Sequence, residues 1–482
     1  MNIIPKVKNF TENGVSKISP EFTSDEKLGF CKKAFHRMVF KLYDIRLTEG
    51  EGGIKLLYDE KLEKDEYRIN GAEIYASDSE GARYGLATML QLMERKETGF
   101  TIKNTEIREK PDKDFRGFMT DLARQWHDFD ILISYVDLCC LNKIKYLQLH
   151  FTDNQSWTLP LKSFPDAATK GRAYKKAEID YLVEYAYEAG VELIPEFEGI
   201  GHSKELILNC PDEFGNIYDE EITSASALTS GVDQKIGRVD NIMCLGKSGI
   251  FENIRKMLTE IADTFKYSEY IHVGCDEAKH ENWNHCALCR DYMKRQRLTS
   301  TKAAYTHFAE KIIDICISLG RTPIVWEGFP YEGTENISRD CIVVSWENVY
   351  QTGPELLESG FKVINASWSP MYIVPPKTKD ALHIKRDWTV TGDNWNVYEV
   401  QHWASGSKAY GGLGLTPHEN VLGGMLCQWE CTPCEERERV IDLLSQTADR
   451  TWNSKDFYSE EEYYKNAEKI NKLSERLYKK RE

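Results

Sequence analysis

Hydrophobic and polar residues alternate in eight short stretches between residues 115 and 430, and this alternation is typical of β-strands. The stretches cover residues 115–122, 145–151, 191–198, 270–277, 322–327, 341–347, 361–368 and 423–430. Between most of them, apolar residues recur at helical spacing, over 131–141, 178–189, 250–265, 302–319 and 435–452. The fifth connection is short and has little helical pattern. Eight strands with helical crossovers predict an α/β fold, a (β/α)8 TIM barrel.

The residues on either side of this repeat have different patterns. Short strand-like pieces at 67–69 and 72–76 precede a helical pattern at 81–92, for which Ser79 is the predicted N-cap. We therefore predict a small α+β support domain over residues 1–110, the barrel over 111–455 and a charged helical tail over 456–482. The seventh connection, over 369–421, is long and contains Trp388, Trp395 and Trp403. Loops of this length are usually functional or disordered, and the aromatic residues favour function.

The charge and cysteine content narrow the classes of partner and compartment. A formal net charge of -15 argues against nucleic acid and against an anionic membrane surface as partners. No apolar stretch is long enough to span a bilayer, and the N-terminus lacks the apolar segment of a signal peptide. These features predict a cytoplasmic protein, although a truncated secreted protein would share them. The 13 scattered cysteines predict reduced thiols, and no pattern indicates an oligomeric state.

The carboxyl ends of the predicted strands carry most of the candidate chemistry, as expected for the active site of such a barrel. The residues there are Asp121, Arg124, His150, Asp153, Glu196, Glu198, His202, Asp276, Glu277, Trp326, Glu327, Trp346, Glu347, Trp368, Tyr372, Trp429 and Glu430. Aromatic rings stack on the apolar face of a pyranose, while carboxylates and arginine bind its hydroxyls. A single tryptophan would be explained by core packing, but four at strand ends predict a sugar pocket.

The stretch over residues 270–277 ends in two adjacent acids, Asp276 and Glu277. Successive residues of a strand point to opposite faces. If the strand ends at Asp276, Glu277 can turn into the cleft while Asp276 acts from the side. Ordinary glycoside hydrolysis needs two carboxylates that flank the bond, whereas one acid and one helper suffice if the substrate supplies the nucleophile. The alternative is a solvated strand end with two acids by chance.

Four motifs in chain order resemble those of glycoside hydrolase family 20, the β-N-acetylhexosaminidases. They are Arg116-Gly-Phe-Met-Thr-Asp-Leu-Ala-Arg124, His150-Phe-Thr-Asp-Asn-Gln-Ser-Trp157, Pro195-Glu-Phe-Glu-Gly-Ile-Gly-His202 and His272-Val-Gly-Cys-Asp-Glu277. The resemblance covers residues 1 to about 450, and the helix at 81–92 is similar to that of the family's small domain. It implies an exo-acting, retaining hydrolase of terminal N-acetylhexosamines in glycans, acting through an oxazolinium intermediate without a cofactor.

The resemblance also implies roles for individual residues. Glu277 would be the general acid and base, Asp276 would orient the substrate acetamide, and Tyr372 would bind the acetamide oxygen. The residues implied in substrate binding or in support of the acid are Arg124, Asp153, His202, Trp326, Trp346, Trp429 and Glu430. Apart from the resemblance, Trp395 and Trp403 of the long insertion are candidate walls of a second sugar site, and simple packing of the insertion is the alternative.

The sequence departs from the family pattern at three places. Val374 stands where an aspartate is common, Trp429 and Glu430 are adjacent rather than separated by one residue, and Glu198 and Ile200 replace an aspartate and a proline. These departures put recognition of the distal hydroxyls in doubt, and they leave the choice between gluco and galacto substrates open.

Two further classes of function compete with this interpretation. One is a carbohydrate-binding barrel without catalysis, and the other is a metal-dependent hydrolase with His150, Asp153 and His202 as ligands. The sequence also has two Cys-x-x-Cys pairs, which begin at Cys286 and Cys431. Such pairs can bind zinc, but these follow strands on opposite sides of the predicted barrel. We therefore predict free thiols and no metal site.

Overall fold

The computed structural model describes residues 2–216, 218, 241–375, 389–401 and 412–478. Trp388 and Trp403 of the long insertion lie outside these ranges. A mixed sheet of eight strands forms the amino-terminal part, in the order β1-β8-β5-β6-β4-β2-β3, with β7 paired to β8. Its strands are β1 (Phe10–Ile18), β2 (Glu21–Ser24), β3 (Thr48–Glu49), β4 (Ile54–Tyr58), β5 (Tyr67–Asn70), β6 (Glu73–Ala76), β7 (Met93–Lys96) and β8 (Gly99–Glu109).

Two helices accompany this sheet, α1 (Lys32–Tyr43) and α2 (Ser79–Leu92). Nearly every side chain of α2 is buried, since the helix lies between the sheet and the rest of the protein. Its N-cap is Asp78, whose carboxylate accepts a hydrogen bond from the backbone N–H of Gly81. The predicted cap at Ser79 is therefore wrong by one residue, because the carboxylate reaches the first free N–H groups of the helix.

The second sheet is a closed ring of eight parallel strands, which confirms the predicted (β/α)8 barrel. Strands that are consecutive in the chain are neighbours in the ring, and the last strand pairs with both the first and the seventh. The strands are β9 (Phe115–Asp121), β10 (Tyr146–His150), β11 (Glu192–Gly199), β12 (Tyr270–Gly274), β13 (Thr322–Trp326), β14 (Ile342–Ser345), β15 (Lys362–Asn365) and β19 (Val421–Gln428). The short strand β16 (Tyr372–Ile373) extends the ring beside β19, and β17 (Glu399–Gln401) pairs with β18 (Gly412–Gly414) in the insertion.

Helices surround this ring, and five of them lie at the predicted positions. These are α3 (Phe129–Leu141), α4 (Lys176–Ala189), α7 (Ile250–Thr264), α9 (Thr301–Ser318) and α12 (Pro433–Trp452). Helix α13 (Glu460–Leu477) lies in the predicted helical tail. The sequence did not indicate the further helices α5 (Lys204–Asn209), α6 (Pro211–Phe214), α8 (Ala287–Gln296), α10 (Gly353–Glu358) and α11 (Trp368–Met371). The fifth connection contains a single short 3-10 turn, Thr334–Asn336, as its weak pattern predicted. Within the described ranges, no helix combines the length and the apolar content that a bilayer crossing requires.

The amino-terminal sheet and the barrel meet at a buried tryptophan near the end of α12. The ring of Trp452 lies edge-on to that of Tyr84 at 5.1 Å and 6.3 Å from that of Tyr67. The ammonium group of Lys143 lies 4.5 Å from the Trp452 ring and donates a hydrogen bond of 3.0 Å to the Tyr67 hydroxyl. Burial is the main cause that lowers the pKa of Lys143 to about 7. The two parts therefore share one desolvated contact.

The carboxyl-terminal helix α13 packs against the body of the protein. The Lys469 ammonium donates to the carbonyl of Met93, and the Tyr478 hydroxyl donates to Glu436 of α12. Tyr463 and Leu477 are buried. Residues 460–478 therefore cover α1, α3 and α12.

Candidate active site at the carboxyl ends of the barrel strands

The two adjacent acids lie just beyond the end of β12, where the chain leaves the extended conformation. Gly274, Cys275 and Glu277 have φ values of 64°, 72° and 43°. Asp276 Oδ2 and Glu277 Oε2 lie 3.5 Å and 3.4 Å from the same nitrogen, His202 Nε2. The strand ends at Gly274, earlier than the predicted residue 277, and the left-handed backbone beyond it turns both carboxylates toward one imidazole.

The backbone of this turn is held by close contacts. A Cβ on Gly201 would lie 2.7 Å from the carbonyl oxygen of Asp276, and a Cβ on Gly328 would lie 2.8 Å from its Cα. The hydroxyl of Tyr305 donates a 2.7 Å hydrogen bond to the carbonyl of Cys275. A non-glycine residue with positive φ costs on the order of 1–3 kcal/mol. The packing around Asp276 therefore imposes a conformation that the local chain would not adopt alone.

Asp153 connects the acid pair to an arginine. Its carboxylate oxygens lie 2.6 Å from Arg124 Nη2, 3.1 Å from His150 Nε2 and 3.3 Å from His202 Nδ1. Burial alone would raise the pKa of Asp153, but the positive charges of Arg124 and His202 hold it well below its usual range. Burial opposes a charge on His202 too, yet Asp153 and Asp276 raise its pKa well above the usual value. The carboxylates on either side of His202 thus favour the charged form of its imidazole.

A second buried network lies deeper in the barrel, around Glu196. Its carboxylate accepts a 2.6 Å hydrogen bond from the Trp326 indole, and His150 Nδ1 and His272 Nδ1 lie 2.9 Å and 3.2 Å from it. Burial opposes ionisation of Glu196, but the two imidazoles hold its pKa well below the usual value. Glu196, His150 and Trp326 were among the predicted strand-end residues, but the sequence did not indicate that they form a separate buried centre. The alternation of acids at 196 and 198, which places both on the inner face of one strand, is the signal that could have indicated it.

Aromatic rings form the wall of the site beside these acids. The rings of Trp346 and Tyr372 are parallel within 3° at 6.1 Å between centroids. The Trp429 ring lies 5.8 Å from Tyr372 and 5.6 Å from Trp326, and the Arg124 guanidinium lies 5.0 Å from it. Burial, with a contribution from nearby Asp276 and Glu347, raises the pKa of the Tyr372 hydroxyl. The predicted aromatic residues of four strand ends therefore meet in one pocket.

Glu430 and Val374 lie at the edge of this pocket. Glu430 has a φ of 59°, and its carboxylate oxygen lies 3.8 Å from Arg124 Nε. The positive φ turns Glu430 and its neighbour Trp429 toward the same arginine, although the two are adjacent in the chain. Val374, which stands where the resembled family commonly has an aspartate, packs against the aromatic cluster.

Glu347 and Tyr350 are near the acid pair. Glu347 was among the predicted strand-end residues, whereas Tyr350 was not predicted. Burial and the charges of Glu327, Glu277 and Asp276 raise the pKa of Glu347 to about 9. Tyr350 is 43% exposed although several carboxylates lie near it. The sequence signal that could have indicated Tyr350 is an aromatic residue in the short segment that follows a predicted strand. Both residues can contribute a polar or stacking contact to a bound sugar.

Trp395 lies apart from this pocket, in the hydrophobic core. It is 5% exposed, and a Cβ on Gly424 of β19 would lie 2.5 Å from its ring. Its backbone carbonyl accepts a 2.8 Å hydrogen bond from Arg450 of α12. Trp395 therefore packs in the core instead of forming the predicted wall of a sugar site, because the insertion folds back behind the barrel strands.

The position of Asp153 also bears on the metal-hydrolase alternative. Of its three candidate ligands, His150 and His202 both face Asp153, and the Arg124 guanidinium lies against the same carboxylate at 2.6 Å. A cation bound there would have to displace the arginine or lie next to its charge. The geometry therefore favours an ion-paired support for the acid pair.

The chain was compared with known families and proteins. A model described as glycosyl hydrolase family 20, catalytic domain, matches residues 114–455, well over half of the chain. A beta-hexosaminidase subunit beta of Entamoeba histolytica is 24% identical over 430 residues, which cover 85% of this chain and 71% of that protein. A beta-hexosaminidase of Akkermansia muciniphila is 28% identical over 362 residues, covering 70% and 69%.

Solved structures show the same fold. A family 20 exo beta-N-acetylglucosaminidase from Vibrio harveyi, in complex with N-acetylglucosamine, superposes with a TM-score of 0.82 at 20% identity and covers 98% of this chain and 76% of that one. A mutant beta-hexosaminidase from Streptomyces plicatus, in complex with its product N-acetylglucosamine, gives a TM-score of 0.75 at 19% identity with coverages of 99% and 95%. With the family match over the barrel, the chain belongs to glycosyl hydrolase family 20 and is a glycoside hydrolase.

Proposed function

We propose that the protein is an exo-acting β-N-acetylhexosaminidase that releases terminal non-reducing N-acetylglucosamine or N-acetylgalactosamine from glycans with retention of configuration. Its relatives are named beta-hexosaminidases, and two solved neighbours hold N-acetylglucosamine. The alternative of an inactive carbohydrate-binding barrel is less favoured, because Asp276, Glu277 and Tyr372 are present and lie within one pocket.

The proposal depends on two buried polar groups that could bind a substrate acetamide, one hydrogen-bond acceptor and one donor. Asp276 Oδ1 is buried and has no hydrogen-bond partner among the described residues. The Tyr372 hydroxyl is also buried, near the same carboxylate. An unpartnered buried acceptor costs on the order of 1–3 kcal/mol, which the N–H of a substrate acetamide would relieve. The Tyr372 hydroxyl would then donate to the acetamide oxygen.

The substrate's own acetamide would act as nucleophile. Its oxygen attacks the anomeric carbon while Glu277 donates a proton to the departing oxygen, so one C–O bond forms as the glycosidic bond breaks. Asp276 accepts a hydrogen bond from the nitrogen and stabilises the positive charge of the oxazolinium. Glu277, now a carboxylate, takes a proton from water, which attacks the anomeric carbon and breaks the bond to the acetamide oxygen. Two inversions give retention.

The remaining pocket residues would bind the sugar or position the acid. We propose that Trp326, Trp346 and Trp429 contact the ring and the acetamide methyl, and that Arg124 and Glu430 bind hydroxyls at the open side. Asp153 and His202 would act through Glu277 as positioning residues, since His202 Nε2 lies 3.4 Å from its carboxylate.

A series of aryl N-acylglucosaminides with zero to three fluorines on the acyl methyl group tests the proposed nucleophile. Fluorine withdraws electrons from the acyl oxygen, so kcat/KM should fall steadily along the series, and the first product observed by proton NMR should be the β-anomer. A rate independent of fluorination would contradict participation by the acetamide. No turnover of any member would favour the binding barrel.

The proposed location is a reducing compartment, the cytoplasm. None of the 13 cysteines forms a disulfide in the structure, and 11 of them are buried. Fractionation of the producing cell tests this proposal, and activity found mainly outside the cell would contradict it.

A further inference from the structure

Three cysteines from two separate segments meet in a buried cluster beside the barrel. Cys286 and Cys289 form the first Cys-x-x-Cys pair, and Cys244 lies in the segment that leads to α7. Their sulfur atoms all lie within 4.8 Å of one another, and all three side chains are buried. The second pair is elsewhere, with Cys431 buried and Cys434 exposed. The structure thus separates the two pairs, as the sequence predicted, but adds a third thiol to one of them.

The distances between these sulfurs match those around a tetrahedral zinc ion. A Zn–S bond of about 2.3 Å and a tetrahedral angle place two sulfurs about 3.8 Å apart, whereas a disulfide would place them about 2.0 Å apart. Cys244 Sγ lies 3.9 Å from Cys286 Sγ and 3.6 Å from Cys289 Sγ. Asn216 Oδ1 lies 3.3 Å from Cys289 Sγ, so an oxygen atom is available next to the three sulfurs.

The two segments that carry the cysteines are packed tightly against each other. Cys286 is the N-cap of α8, and Cys289 lies in the first turn of that helix. Gly246 packs directly on this turn, since a Cβ there would lie 2.0 Å from the carbonyl oxygen of Leu288. The backbone of both segments therefore fixes the relative positions of the three cysteines.

We propose that Cys244, Cys286 and Cys289 bind a structural zinc ion, with an oxygen ligand from Asn216 or solvent as the fourth. This differs from the free thiols that the sequence predicted, because the third ligand is 42 residues from the pair and no local spacing indicates it. The three thiols bind as thiolates, so one zinc displaces three protons and no electron is transferred. The inference is independent of the proposed reaction.

The ion would connect the two segments that follow β11 and β12. The Cys244 segment is hydrogen-bonded to the end of β11, through Met243 N–H to Ile200 and Ser203 N–H to Asn241, on either side of His202. The Cys286 segment continues from Glu277, and the Trp283 indole donates a 2.9 Å hydrogen bond to the carbonyl of Met243. Zinc would therefore cross-link the loop that contains His202 to the loop that contains Asp276 and Glu277.

The test is elemental analysis of the untagged full chain, purified without chelators from zinc-supplemented cells. We expect about one zinc per chain, released in step with the modification of three thiols by a mercurial reagent. Cys286→Ser and Cys289→Ser should lose most of this zinc, while Cys434→Ser, which alters the exposed thiol of the other pair, should keep it. Removal of zinc from the wild type should lower its Tm by several degrees.

If the serine variants do not fold, cobalt added to the metal-free wild type gives the answer. A thiolate-to-cobalt charge-transfer band that zinc then abolishes would support the site. Less than about a tenth of a zinc per chain in the wild type, with no cobalt band, would overturn the proposal and leave three hydrogen-bonded thiols. Equal zinc in the wild type and in folded Cys286→Ser and Cys289→Ser would overturn it as well.

Discussion

Replacement of Gly274 by alanine should weaken both the fold and catalysis. A Cβ at this position would lie 1.9 Å from Glu198 Oε2 and 2.6 Å from its Cδ. Gly274 also has a φ of 64°, a conformation in which an L-residue is less stable by about 1–2 kcal/mol. Glu198 is 1% exposed, so its side chain cannot move out into solvent to make room.

The magnitude follows from these two effects. The Glu198 carboxylate would have to withdraw from 1.9 Å to at least 3.0 Å from the new methyl group, and overpacking of this kind costs about 1–3 kcal/mol. Together with the backbone effect, we expect the free energy of unfolding to fall by roughly 2–5 kcal/mol. Because Asp276 follows two residues later, a shift of about 1 Å there should lower kcat/KM by about 10²-fold.

Urea unfolding followed by tryptophan fluorescence, together with kcat/KM on an aryl N-acetylglucosaminide, measures both effects. Gly320→Ala is the matched control, since Gly320 has a φ of 73° and no atom within 4 Å of its Cβ position. It should lose only the backbone contribution and keep its activity. The double variant with Glu198→Ala should recover part of the stability lost through the clash. Equal losses in Gly274→Ala and Gly320→Ala, with unchanged kcat/KM, would refute the reasoning.

Four further outcomes are expected. Glu277→Gln should lose about 10²–10⁴-fold activity on substrates with poor leaving groups and less on those with very good ones, and an equal loss on both would remove Glu277 from the acid role. Asp276→Asn should bind a thiazoline mimic of the oxazolinium far more weakly than the wild type, and unchanged affinity would show that this carboxylate does not face the acetamide. Val374→Asp should lower kcat/KM for a 6-substituted N-acetylglucosaminide relative to the plain one, and an unchanged ratio would place Val374 outside that part of the pocket. Burial lowers the pKa of Lys143 from 10.5 to about 7, so the unfolded chain binds more protons between these values and the free energy of unfolding should rise as pH rises through this range. Lys143→Met should remove that rise, and an equal pH slope in both proteins would show that the ammonium is not desolvated.

The barrel and most of its site could be predicted because their patterns are local. Each predicted strand matches an observed strand to within a few residues, since alternation and apolar runs depend on neighbouring residues. Parallel strands of a closed barrel place their carboxyl ends together, so Arg124, Asp153, Trp326 and Trp429 could be assigned to one pocket before their distances were known.

The features that the sequence did not indicate depend on backbone conformation and on distant contacts. The left-handed conformations of Cys275 and Glu277 bring two neighbouring acids to one imidazole, and no residue type there requires them. The buried position of Trp395 follows from how a long insertion folds back. The meeting of Cys244 with the Cys-x-x-Cys pair needs the relative position of two loops. Hydrophobic periodicity is a local property of the sequence, so it indicates none of these three features.

The contact around Trp452 has a consequence for recombination between relatives. Tyr67 and Tyr84 of the amino-terminal part pack against a ring from α12 of the barrel. The hydrophobic core of the amino-terminal sheet is therefore incomplete without the barrel. A chimaera that exchanges only the first 110 residues would pair one parent's tyrosines with the other parent's helix end. Exchange should succeed if the residues equivalent to Lys143 and Trp452 are transferred together with the first 110 residues. The unit that can be exchanged is therefore made of segments that are not contiguous in the chain.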